Sequence, residues 1–235
     1  MKMNKKKVVV VALAVSLIAI LSLGTLAWFS DKDEVTNKFM IATSEDTDPD
    51  DIFSVDVWEN TPDGDKDQDG YEYKDILPGD VLKKEVNVEN TGYYDQYIRV
   101  TVTISDAAAW MSALNTTTVP RLDKIVDGYD PNGGPWTTNP NEKPAVVGDN
   151  LVYTLYYRGI LDGDDQNNRE DTDVVTVFTA VKIPSSLTVE QAAAFKSNFE
   201  INVKAEAVQT ENLGVSSSNS VLDAVEAFTA AGLLN

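Results

Sequence analysis

Six segments of this chain alternate apolar and polar residues with a period of two, and no other feature constrains the fold as much. Phe53, Val55 and Val57 alternate with Ser54, Asp56 and Trp58, and Val86 and Val88 with Asn87 and Glu89. Ile98, Val100, Val102 and Ile104 alternate with Arg99, Thr101 and Thr103 in the cleanest run. Leu151, Tyr153, Leu155 and Tyr157 form a fourth run; Val175, Val177, Thr179 and Val181 form a fifth. Ile201, Val203, Ala205 and Ala207 alternate with Asn202, Lys204 and Glu206. Successive side chains of a strand point to opposite faces, so each run presents one greasy face and one wet one. Gly, Pro, Asn and Asp fill the gaps. The pattern predicts an all-β chain folded as an antiparallel sandwich.

Helices are few. Residues 106–114 (DAAAWMSAL) predict a short helix crossing between sheets. Thr188 and Gln191 have capping-box spacing, which predicts a helix to about Ser197. Behind a Ser-rich link, Val221, Leu222, Val225, Phe228 and Ala231 mark one face of an amphipathic C-terminal helix, which packs on its own domain or on a partner. Residues 43–51 and 128–150 read as long polar loops. Trp136 in the second either contacts a sugar or neighbour or tucks onto its own domain.

The amino terminus follows a different logic. Lys2, Lys5, Lys6 and Lys7 precede an uncharged apolar run from Val8 to about Gly24, and Thr25-Leu26-Ala27 is a small-residue exit. This is the layout of an export signal cut between Ala27 and Trp28. Kept uncut, the run would be an anchor with the same outside topology. The expected organisation is 1–27 signal peptide, 28–214 sandwich, and 215–235 link and helix.

Removal of residues 1–27 leaves 15 basic and 38 acidic residues, a formal charge of −23. Such a surface repels nucleic acid and anionic lipid and suits divalent cations. The chain has no cysteine, so the fold holds without disulfides, and no histidine. The commonest general base and the commonest zinc ligand are therefore missing, and Ser–His or Cys–His nucleophile pairs are impossible. No enzyme activity is expected.

Two stretches carry chemistry. In DGDKDQDG, Asp63, Asp65, Asp67 and Asp69 fall at every second position before Gly70. Alternating acids suit the six to eight oxygens of calcium, although no bidentate acid closes the loop at the twelfth position; the alternative is a solvated turn. Asp162, Asp164 and Asp165 form a weaker cluster. The second stretch begins at the expected new terminus. Residues 28–42 hold Trp28, Phe29, Val35, Phe39 and Ile41, the last three in one alternation class. Such a strand can complete its own sheet or, by strand addition, a neighbour's. Exchange of that kind is head-to-tail and builds open filaments.

The stretch LGTLAWFSD, residues 23–31, resembles the signal exit of the TasA/camelysin family. LPGDVLKKEVNVENTGYYDQYIRVTV, residues 77–102, resembles that family's Pro-Gly-Asp turn (Pro78, Gly79, Asp80) and its Asn-x-Gly hairpin (Asn90, Gly92). FEINVKAEAVQTENLG, residues 199–214, resembles its closing strand. The resemblance implies cleavage after Ala27 by a dedicated signal peptidase and a jelly-roll-like sandwich. It implies secretion to the surface or matrix of a Gram-positive bacterium. It further implies fibre assembly through the first mature strand, with copies of itself or a related matrix subunit as partners. Some relatives carry a metalloprotease label, an activity that a histidine-free chain is not expected to share. The alternatives are a calcium-stabilised monomeric surface-binding module and, behind it, a surface metalloprotease.

Overall fold

The computed structural model describes residues 30–34, 54–60, 66–67, 73, 75–92, 94–163, 173–195, 199–210 and 221–234. Two antiparallel sheets face each other. In the first, β1 (Ser30–Glu34), β11 (Ile201–Gln209), β5 (Gln96–Ile104) and β9 (Asn150–Tyr157) lie side by side. The two-residue β7 (Trp136–Thr137) and the short β8 (Ala145–Val147) share the far side of β9. The second sheet runs β3 (Lys66–Asp67), β2 (Val55–Asn60), β4 (Val81–Asn90), β10 (Val174–Lys182) and β6 (Val126–Asp127). The all-β antiparallel sandwich expected from the alternation is what forms.

The pairing is nested: β1 with β11, β4 with β10, β5 with β9. One buried cluster fills the sandwich. It takes Ile98, Val100, Val102 and Ile104 from β5, Leu151, Tyr153 and Leu155 from β9, and Val203, Ala205 and Ala207 from β11. Val55, Val57, Val86, Val88, Val175 and Val177 face them from the second sheet.

β10 departs from simple alternation. Thr179, expected on the inner face with the valines, is exposed, while Phe178 is buried. The pairing of β10 with β4 slips between Thr176 and Phe178 and again between Phe178 and Ala180. The first bulge hands the inward position to Phe178, and the second returns it to the odd residues at Val181.

Of the helices, α1 (Ala107–Ala113) follows β5 as expected. The helix α2 (Val189–Ala194) starts on the expected capping box, Thr188 Oγ1 accepting from Gln191 N–H and Gln191 Oε1 from Thr188 N–H. It stops at Ala194, short of Ser197, because Phe195 turns extended and meets Trp110 edge-on at 5.2 Å. The helix α3 (Val221–Ala230) packs on its own domain. Its buried stripe is Ala224, Ala227 and Phe228, with Val225 only partly covered. Small residues at the centre let the helix approach the sheet closely.

Candidate functional site

One edge of the first sheet brings the two ends of the chain together. Among the described residues β1 is the outermost strand there, and β11 holds it. Lys32 stands opposite Glu206 and Glu34 opposite Lys204, while Asp31 and Asp33 stand opposite Ala207 and Ala205. Directly opposed residues of an antiparallel pair share a face. Ala205 and Ala207 are fully buried. A one-residue slip would exchange the two faces.

The outer side of the same edge carries a buried ion pair. Glu206 stands opposite Arg99 of β5. Arg99 Nε donates to Glu206 Oε2 at 2.9 Å, and Nη2 donates to the same oxygen. Nη1 donates to the Leu233 carbonyl at 3.1 Å, and Cζ sits 4.6 Å over the Phe228 ring. Arg99 thus reaches the carboxyl end of α3. That end closes with Leu233 N–H on the Phe228 carbonyl and Gly232 N–H on the Thr229 carbonyl, with Gly232 at φ +72°. The double bond pattern is a Schellman close, which needs a residue tolerant of positive φ, and the cation meets the negative end of the helix dipole.

Beneath α3 lie Tyr97, Tyr156 and Val208. Phe228 meets Tyr156 edge-on at 6.1 Å, and the Tyr156 hydroxyl donates to Glu142 Oε2 at 2.8 Å. Burial first, then that carboxylate, push the phenol up to about 12. Nothing in the periodicity singles out Arg99 and Glu206. Both sit in the polar half of their alternations, and only strand register brings them together.

The family-like turns are well defined. Asp80 N–H donates to the Leu77 carbonyl at 3.1 Å and Asp80 Oδ2 accepts from Leu77 N–H at 2.7 Å, with Gly79 at φ +92° after Pro78. Gly79 N–H and the Asp80 carbonyl both bond Ile183, tying the turn to the end of β10. Asn90 and Gly92 do not make a hairpin within one sheet. They carry the chain from β4 in the second sheet to β5 in the first. Asn90 Nδ2 lies within 3.1 Å of the Tyr94, Leu161 and Asp162 carbonyls, and Oδ1 accepts from Gly92 N–H. The Leu161 carbonyl also accepts from Gln96 N–H, so the asparagine amide adds to a backbone bridge at the crossing between the sheets.

Trp136 is not exposed to sugar or neighbour: it is buried, and Nε1 donates to the Thr176 carbonyl at 2.7 Å. Asp67 lies in β3, paired with Glu59. Asp63, Asp65 and Asp69 lie outside the described residues, as do Ala27, Trp28, Phe29, Val35, Phe39, Ile41, Asp164 and Asp165.

Residues 2–107 match the family model of the camelysin metallo-endopeptidases. Over that stretch the chain is similar to the camelysin family. The match runs from the basic head through β5 to the start of α1; it includes both turns and Arg99. No curated protein and no solved structure matches the chain. The family is described as metallo-endopeptidases, and zinc peptidase sites are built mainly on histidine. This chain has none, and among the described residues no group of three or more acids could hold a metal. The described residues therefore do not fit such a metal.

Proposed function

We propose that this chain, similar over residues 2–107 to the camelysin family, is an exported structural subunit, not an enzyme, that assembles head-to-tail at the cell surface or in the matrix by donating its first mature strand. One observation carries the reading. The strand that follows the expected signal exit lies at a sheet edge among the described residues, and its register sets Asp31 and Asp33 opposite Ala207 and Ala205. A short acidic strand is a poor permanent cover for a core edge. The apolar class that follows, Val35, Phe39 and Ile41, suits a core face far better, and the same fold in a neighbour presents the same edge. The absence of histidine from the sequence supports the non-enzymatic part.

Electron microscopy of the mature chain beginning at Trp28 tests this directly. Filaments are expected, and a chain shortened past Ile41 should stay monomeric. Normal filaments from the shortened chain would overturn the proposal.

A further inference from the structure

The helix α3 rests on a core of its own. Ala224, Ala227 and Phe228 meet Tyr97, Tyr156 and Val208 on the outer side of the first sheet, and this cluster is separate from the one that fills the sandwich. The chain neighbours of those three sheet residues, Ile98, Leu155 and Ala207, belong to the sandwich core instead. The helix also closes its own carboxyl end. The N–H groups of Ala231, Gly232 and Leu233 bond carbonyls of residues 227–229, and Thr229 Oγ1 donates to the Val225 carbonyl.

Arg99 reaches this helix through the Leu233 carbonyl and the Phe228 ring, but its charge does not depend on it. Glu206, opposite Arg99 on the next strand, takes the Nε and Nη2 donors. When α3 lifts, the Leu233 carbonyl passes to water and Arg99 keeps its carboxylate, so no unpaired buried charge is left behind. The β5–β11 and β5–β9 ladders keep every backbone bond.

We propose that α3 is a releasable cover: it leaves the outer face as one cooperative unit while the sandwich beneath stays folded, baring Tyr97, Tyr156 and Val208. A free helix of 10 residues is marginal in water. Undocking and melting of α3 therefore coincide, and its amides open together. The device does not rest on strand donation.

Hydrogen exchange on the full mature chain in low urea tests it. The amides of residues 225–231 should share one opening free energy, below that of residues 98–104 and 203–207 and with a shallower urea dependence. Phe228→Ala should speed α3 exchange by about 10- to 100-fold, the loss of a buried ring, and leave the strand amides unchanged. Gly232→Ala is the milder variant: an added Cβ meets nothing within 4 Å, and only the positive φ is strained. It should speed the same amides by about 5- to 30-fold, again without touching the strands. Three results overturn the proposal: α3 and strand amides that open together with one urea slope, α3 amides that open one by one from the chain end, or a Gly232→Ala variant that speeds the strands as much as the helix. Should Phe228→Ala fail to fold, the parent profile and Gly232→Ala decide.

Discussion

Replacing Arg99 by Met removes three contacts while keeping most of the apolar stem. The two charges of the pair have side chains about a tenth exposed, so Glu206 would be left as a buried anion. Breaking a buried pair from one side costs roughly 3–5 kcal/mol. The lost hydrogen bond to Leu233 and the lost ring contact each add about 1–2 kcal/mol in isolation. These are not additive, because α3 can lift and let water reach Glu206. We expect about 3 kcal/mol in urea unfolding of the mature chain, and a melting temperature lower by roughly 6–12 °C for a domain of this size. The double change Arg99→Met with Glu206→Met removes both charges. It should recover most of the loss, since an apolar pair at such a site is often neutral or better. A single variant that loses less than about 1 kcal/mol would refute the reasoning, and so would a double variant that is worse than either single.

Four further outcomes follow from other parts of the molecule. Asn90→Ala should cost about 2–4 kcal/mol by denaturant melting, because it removes the amide that bonds the Tyr94 and Asp162 carbonyls, shares the Leu161 carbonyl with Gln96 N–H, and accepts from Gly92 N–H; a loss under about 1 kcal/mol would mean water takes over that work. Gly79→Ala should destabilise by about 1–2 kcal/mol from its positive φ alone, since the nearest atom to an added Cβ is Ser185 Cβ at 3.4 Å; an unchanged melt would show that the turn relaxes. The phenol of Tyr156 is raised in the folded state, so the stability it contributes is full below its ordinary value of 10 and fades as pH climbs toward about 12. Tyr156→Phe should flatten that alkaline loss, and an identical pH profile would refute the assignment. Calcium should raise the melting temperature of the mature chain through the Asp63–Asp69 ladder, and Asp67→Ala should weaken the response; a calcium-insensitive melt removes the site.

The sequence by itself determined the strands, the Pro-Gly-Asp turn and the capped start of α2. Each depends on neighbours within a few residues: a two-residue period, a Pro-Gly pair, or a Thr and a Gln three apart. It also excluded histidine chemistry outright. Only the tertiary structure decided the rest. Bulges in β10 turned Phe178 inward and Thr179 outward, and Asn90 proved to bridge two sheets where a hairpin was expected. Trp136 left a polar loop for the interior, because a carbonyl of β10 waited for its N–H. Arg99 and Glu206 are 107 residues apart, and each reads locally as an ordinary wet-face residue. Strand register made them one buried pair beneath a helix, because pairing between distant strands is set by how whole faces match and not by any local sequence.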